Sequence, residues 1–164
     1  MPGYPQGRRR QGQRIGAAGP AGGVEGGDDM QLNITTDYAI RMLYLLGDGG
    51  MKTLGELSEQ AQISRAYAGK VIKKLKKSGI LGSAVGVKGG VFLKKPLEEI
   101  RLYDVCIAME PTMKINRCLE DDAYCGRGAS PDCPVRRYYL YVQDKLENDY
   151  LSVNLKDIRD RKYG

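Results

Sequence analysis

Apolar positions in this chain recur with a helical period in several stretches, separated by short glycine- and proline-rich breaks. Tyr38, Met42, Leu45 and Leu46 share one helical face, with Ala39 and Leu43 beside them. Thr35 or Thr36 is placed to cap this helix, Asp37 suits its first turn, and Gly47 to Gly50 ends it. Thr53 and Glu56 have capping-box spacing and predict a short helix to Ala61 that buries Leu54, Leu57 and Ala61. Gln62 and Ile63 form a turn. Ser64 then caps a third helix from Arg65 to Ser78, with Ala68, Val71, Ile72 and Leu75 as its apolar stripe and Gly79 closing it. Arg65, Lys70, Lys73, Lys74 and Lys77 occupy the opposite face. Two short helices, a tight turn and a basic second helix predict a helix-turn-helix.

The period then changes. Ile80-Leu81 and Val91-Phe92-Leu93 are short apolar runs broken by Gly82, Gly86, Gly89 and Gly90, the pattern of a two-stranded hairpin. A helix-turn-helix followed by such a hairpin is a winged helix. Leu102 to Glu110 predicts a further helix that buries Leu102, Val105, Cys106 and Met109, with Cys106 as a small core residue. From Leu119 to Pro134, acids, glycines and prolines predict an irregular loop. Pro134 suits the first position of a last long helix, along which Val135, Tyr138, Tyr139, Val142, Leu146 and Tyr150 recur. An apolar stripe on a terminal helix of a small domain suits pairing with a copy of itself, and a two-fold dimer suits a palindromic DNA site. The expected class is mainly α with a small β-hairpin wing, extended by a long C-terminal dimerisation helix.

Composition adds two facts. Residues 1–29 are rich in Gly, Pro, Arg and Gln with almost no large apolar residue, which predicts a disordered extension, and they contain no secretory signal. The net charge of +6 is uneven: Ser64 to Lys95 holds nine Lys/Arg and no Asp or Glu, so the rest of the chain sums to −3. That local basicity is an electrostatic footprint for phosphate, whereas a uniformly basic surface would not be. No apolar run approaches a membrane span. The expected organisation is the extension at 1–29, the DNA-binding winged helix at 30–100, and a cysteine-loop sensor with its dimerisation helix at 101–164.

Candidate chemistry lies in the cysteines. Cys118, Cys125 and Cys133 fall within sixteen residues, with six and seven residues between them, and the chain contains no histidine. With no secretory signal, these read as thiols in a reducing cytoplasm. An odd thiol cluster beside a basic surface suggests a sensor joined to a nucleic-acid reader. Enzyme chemistry is poorly supported: histidine is missing for acid–base work, there is no phosphate loop or nucleophile elbow, and Gly86 to Gly90 sits in a hairpin.

Taken together, Thr36-Asp37-Tyr38-Ala39-Ile40-Arg41, Ile63-Ser64-Arg65-Ala66-Tyr67, Lys74-Leu75-Lys76-Lys77-Ser78-Gly79, Gly86-Val87-Lys88-Gly89-Gly90 and Asp132-Cys133-Pro134 are specific. The chain resembles the IscR/NsrR-type winged-helix regulators (the "Rrf" family) from Met30 to about Ile158. The resemblance implies a homodimeric, cytoplasmic transcription repressor that binds a palindromic double-stranded operator and senses redox, nitric oxide or iron–sulfur status. It implies a [2Fe–2S] or [4Fe–4S] cluster on Cys118, Cys125 and Cys133, one that aerobic purification can strip. Some members complete the site with a histidine where this chain has Arg136. Others use an aspartate from the partner subunit, and Asp37 stands at that position with Arg41 following. Asp37 is equally suited simply to favour the helix N-terminus.

By the same resemblance Ser64, Arg65, Tyr67 and Lys70 face the DNA major groove and the wing enters the minor groove. Lys73 and Lys74 on the basic face, with Lys88 and Gly89 at the wing tip, complete the expected contact set. The chain departs from the pattern at Gly69, at Lys70 and at Val85, where some members carry a wing arginine, so the operator sequence does not carry over. Two other readings stand beside the cluster: a cluster-free member that responds to thiol oxidation, through a Cys125–Cys133 disulfide, or to a partner protein, and a structural zinc site on the three cysteines and Asp37.

Overall fold

A computed structural model describes residues 32–86, 89–122, 124–126, 128 and 132–163. The proposed extension at 1–29 and the wing residue Lys88 lie outside them. The first helix, α1 (Ile34–Gly47), is capped by Asn33 instead of Thr35 or Thr36, its Oδ1 accepting from Thr35 N at 3.0 Å. Asn caps as well as Ser or Thr. That leaves Thr36 inside the first turn, wholly buried, its hydroxyl donating to Glu110. In α2 (Leu54–Gln60) the capping box forms as expected: Glu56 N donates to Thr53 Oγ1 at 3.2 Å and Thr53 N to Glu56 Oε2 at 2.7 Å. Leu57 and Ala61 are buried, but Leu54 is exposed. Side chains of a helix lean toward its N-terminus, so a residue at the first position points off the end of α2, past the core.

The turn into α3 (Arg65–Lys77) is tight. Gln62 adopts a left-handed φ of +56°, and Ser58 secures the turn from both sides: its Oγ donates to Ile63 O at 2.8 Å, and Ile63 N donates back to Ser58 O at 3.0 Å. Ala68, Val71, Ile72 and Leu75 of α3 are all buried, as their spacing predicts. Strands β1 (Leu81–Ala84) and β2 (Gly90–Leu93) pair antiparallel, Leu81 opposite Leu93 and Ala84 opposite Gly90. Lys52 adds a one-residue third strand, exchanging backbone bonds with Val91 at 3.0 and 2.9 Å. A Cβ on Gly90 would lie 2.7 Å from Lys52 O, so this approach requires glycine.

Helix α4 (Leu102–Met109) buries Val105, Cys106 and Met109. Its core is shared with Met42, Leu43 and Leu46 of α1, Leu57 of α2, the α3 stripe, and Leu97 and Ile100. The chain is mainly helical with a two-stranded hairpin, a winged helix-turn-helix. One core member, Leu155, lies beyond the elements expected from sequence. The last long helix divides: α5 (Pro134–Lys145) is followed by a π-helical turn at Leu146–Tyr150 and by a short α6 (Leu155–Arg159) capped by Asn154. Between them the chain doubles back on α4. Leu102 N donates to Val153 O and Tyr103 N to Leu151 O, both at 2.9 Å, and Leu155 N donates to Ile100 O at 2.8 Å. Gln143 is the only buried residue of α5, and Val135, Tyr138, Leu140 and Tyr141 are 44–64% exposed. No helix of the described residues is long and apolar enough to cross a membrane.

Candidate nucleic-acid interface and cysteine loop

The outer face of α3 begins at its cap, where Ser64 Oγ accepts from Tyr67 N at 3.3 Å. Ser64, Arg65, Tyr67, Lys70 and Lys73 are all exposed. Tyr67 is held edge-on against Tyr38 of α1, with ring centroids 6.1 Å apart, and the Lys70 ammonium lies 5.4 Å from the Tyr67 centroid. This pre-orders an aromatic ring and a cation together, an arrangement suited to a base edge beside a phosphate. The Arg65 guanidinium lies across the start of α2, where a Cβ on Gly55 would meet its Nη2 at 3.1 Å.

Two lysines of α3 are held by the protein itself. Lys74 Nζ donates to Met109 O, at the C-terminal end of α4, at 2.6 Å. Lys76 Nζ donates to Ser83 Oγ of β1 at 2.7 Å. At the wing, Gly89 N donates to Gly86 O at 2.9 Å, and a Cβ on Gly89 would sit 2.6 Å from Ala84 O. Gly89 therefore shapes the hairpin tip. Val85, where a wing arginine would stand, is fully exposed.

The cysteine loop is anchored at both ends on the start of α5. Cys133 is the residue that caps α5, its carbonyl accepting from Arg137 N at 3.1 Å. Arg136, one turn in, donates from Nε to the carbonyl of Cys118 at 3.1 Å. Cys118 itself sits in a 3-10 turn at Arg117–Leu119 capped by Asn116. Arg117 forms a two-armed ion pair with Asp122, one arm at 2.5 Å, and covers the Tyr124 ring at 5.8 Å. That hydrogen bonding holds the Asp122 carboxyl below the usual carboxylate range.

Cys118, Cys125 and Cys133 are half-buried and none of them is in a disulfide. Cys106 differs: it is wholly buried, and burial, with the Glu110 carboxylate nearby, pushes its thiol up to about 11. In kind, three reduced thiols on an irregular loop are a fitting donor set for a thiolate-bound cluster. In position they are not gathered: among the described residues, no three Cys, Asp or Glu side chains come together closely enough to hold a metal ion. Asp37 lies in the first turn of α1, half-exposed, and pairs with Arg41 at 2.6 Å. Arg41 in turn lies 5.8 Å from the Tyr38 ring centroid.

Sequence reasoning passed over the polar groups that join these two regions. Glu110 Oε1 accepts from Asn33 N at 2.8 Å and from the Thr36 hydroxyl. Buried Gln143 holds the segment after α4: its Nε2 donates to Met113 O at 3.0 Å, and its Oε1 accepts from Ile115 N at 2.9 Å. Burial would raise the Glu147 carboxyl, but hydrogen bonds from Gln143, Lys114 and Tyr103 outweigh it and hold that carboxyl below its usual range. One signal was available. Gln143 stands four residues after Tyr139 and three before Leu146, so it is a polar residue on the apolar stripe.

The family model Rrf2, iron-dependent transcriptional regulator, matches residues 32–161. The fold is similar to that of CymR, the global cysteine regulator of B. subtilis, at 19% identity and a TM-score of 0.62, over 80% of this chain and 98% of that one. It is similar to IscR of T. potens at 18% identity and a TM-score of 0.59, covering 82% of this chain and 89% of the other. The oxidized form of Staphylococcus aureus CymR matches at 20% identity and a TM-score of 0.58, over 79% and 95% of the two chains.

Proposed function

Since the chain belongs to the Rrf2 family of iron-dependent transcriptional regulators, we propose that it is a cytoplasmic, homodimeric repressor whose DNA affinity is set by its cysteine loop. The observation that carries this is the joint anchoring of Cys118 and Cys133 at the head of α5, in a chain whose α3 presents an exposed cationic and aromatic face. Ser64, Arg65, Tyr67 and Lys70 meet base edges and nearby phosphates in the major groove. Lys73, Lys88 and the Gly89 turn add phosphate contacts, which position the protein without reading sequence, whereas Lys74, expected among them, is held at Met109 O. The exposed apolar face of α5 packs on its copy and spaces two α3 helices for a palindromic operator.

Cys118, Cys125 and Cys133 would hold a [2Fe–2S] or [4Fe–4S] cluster, with Asp37 of a second copy as the fourth ligand. When bound, such a cluster supplies a centre that reacts with oxidants and nitric oxide. Arg136 is no substitute ligand. A guanidinium has no lone pair to offer, and its Nε is occupied with the Cys118 carbonyl, where it fixes the start of the loop.

A cluster-free thiol switch is the second reading. It is favoured by three half-buried cysteines on one short loop, and by the similarity to a regulator captured in an oxidized form. Cys125 and Cys133 would then pair as a disulfide, giving two electrons and two protons to an external oxidant. An anaerobic visible spectrum, with iron and sulfide counted per chain, separates these readings. Broad thiolate-to-iron absorption with matched iron and sulfide supports the cluster. A colourless protein after anaerobic reconstitution supports the thiol switch, and bound zinc without sulfide would favour a structural metal.

A further inference from the structure

We infer that Glu110 is a positioning residue that couples the cysteine loop to the DNA-reading elements through the strap from Met109 to Ile115. The inference rests on the regulator reading and deepens it.

Two adjacent residues at the end of α4 hold two different helices. The Met109 carbonyl accepts from Lys74 of α3 at 2.6 Å. The Glu110 carboxylate accepts from Asn33 N, at the cap of α1, at 2.8 Å and from buried Thr36 in its opening turn. The next residue of α1 is Asp37. On the far side of the strap, Gln143 brackets Met113 and Ile115 with bonds of 3.0 and 2.9 Å, and Lys114 Nζ reaches Glu147 at 3.2 Å. Thr112 Oγ1 donates to Glu120 Oε1 at 2.5 Å, inside the cysteine segment.

The strap is therefore hydrogen-bonded to α5 at one end and to α1 and α3 at the other. A hydrogen-bond network that joins rigid elements is one of the contiguous connections able to carry coupling between distant sites. A shift of α5 that follows a change at Cys118 or Cys133 pulls on Gln143. The pull reaches Met109 and Glu110 within one short stretch of chain. Coupling is reciprocal, so DNA on α3 must alter the loop if the loop alters DNA binding.

The test uses the full chain with its thiols reduced and a duplex enriched by this protein from a random-sequence pool. Alkylation of Cys118 by iodoacetamide is followed by mass spectrometry with and without the duplex. Wild type should show a change of about fivefold or more on duplex binding, the lower end of measured couplings. Glu110→Ala should reduce that change to about twofold or less, with duplex affinity within about threefold of wild type. Glu110→Gln keeps an acceptor oxygen and should restore most of the change. Unaltered coupling in Glu110→Ala overturns the proposal, as does a wild-type rate indifferent to bound duplex. Thr36→Val serves if Glu110→Ala fails to fold. Hydrogen exchange gives a second reading without DNA: Gln143→Leu should speed exchange of the first-turn amides of α1. Unchanged exchange there also overturns the proposal. A chain that binds no duplex defeats the regulator reading, and the exchange measurement still decides the coupling.

Discussion

Helices α3 and α5 have 13 and 12 residues, and each carries an apolar stripe, but the chain covers the first fully and the second only in part. On α3, Ala68, Val71, Ile72 and Leu75 are at most 8% exposed, against side chains of α1, α2 and α4. On α5 only Gln143 is buried, and Tyr138 and Tyr141 are 64% and 58% exposed. Helix α3 thus finds its hydrophobic stabilisation within its own chain, while α5 leaves Val135, Tyr138 and Tyr141 exposed and only half-buries Tyr139 and Val142. A contiguous apolar face left in water is where a protein meets a partner. For α5 the proposed partner is a second copy of itself.

The largest expected effect tests the closed side. Leu75→Ala should lower unfolding stability by about 2–5 kcal/mol in urea titrations. Tyr141→Ala, read on protein dilute enough to be monomeric, should stay within about 0.5 kcal/mol of wild type. Similar losses for the two variants would abolish the contrast.

The thiols sharpen it next. The Cys106 thiol is raised from its ordinary 9.0 to about 11 when folded, so it ionises first in the unfolded chain. Its contribution to stability is complete below pH 9 and is lost as pH climbs from about 9 to about 11, an effect of up to about 3 kcal/mol. Thermal scans of wild type and Cys106→Ala across that range should diverge accordingly. Parallel curves would show that burial does not control this thiol.

A smaller effect is expected on the open side. Tyr138→Glu should weaken self-association by about tenfold or more, the loss of one central aromatic contact, with circular dichroism unchanged. Sedimentation equilibrium measures it, and an unchanged association constant would place the interface elsewhere. The smallest is local: Thr53→Ala should cost about 1 kcal/mol of stability by removing the capping box of α2.

The winged helix was legible because its signals are local. The Thr53–Glu56 box, the Ser64 cap, the α3 stripe and the glycine-rich hairpin each depend on neighbours in sequence, and each forms. The cap of α1 is a contest among Asn33, Thr35 and Thr36, three polar residues within four positions, that local sequence does not decide. What stayed hidden was long-range and polar. Nothing near Glu110 announces that it accepts from Thr36, 74 positions away, or that Lys74 turns from the solvent face to Met109 O. Leu155 was missed because a five-residue helix has too few turns to show a period. The cysteines were legible as a cluster by count and spacing. Spacing along the chain does not say whether their sulfurs meet, and among the described residues they are not gathered.

The most direct test of a cysteine loop that sets DNA affinity is a titration of one operator duplex, at fixed salt, with apo protein and with protein loaded anaerobically with iron and sulfide. Affinities that differ by about tenfold or more are expected, within the usual range of allosteric coupling. Equal affinities for the two forms would contradict it.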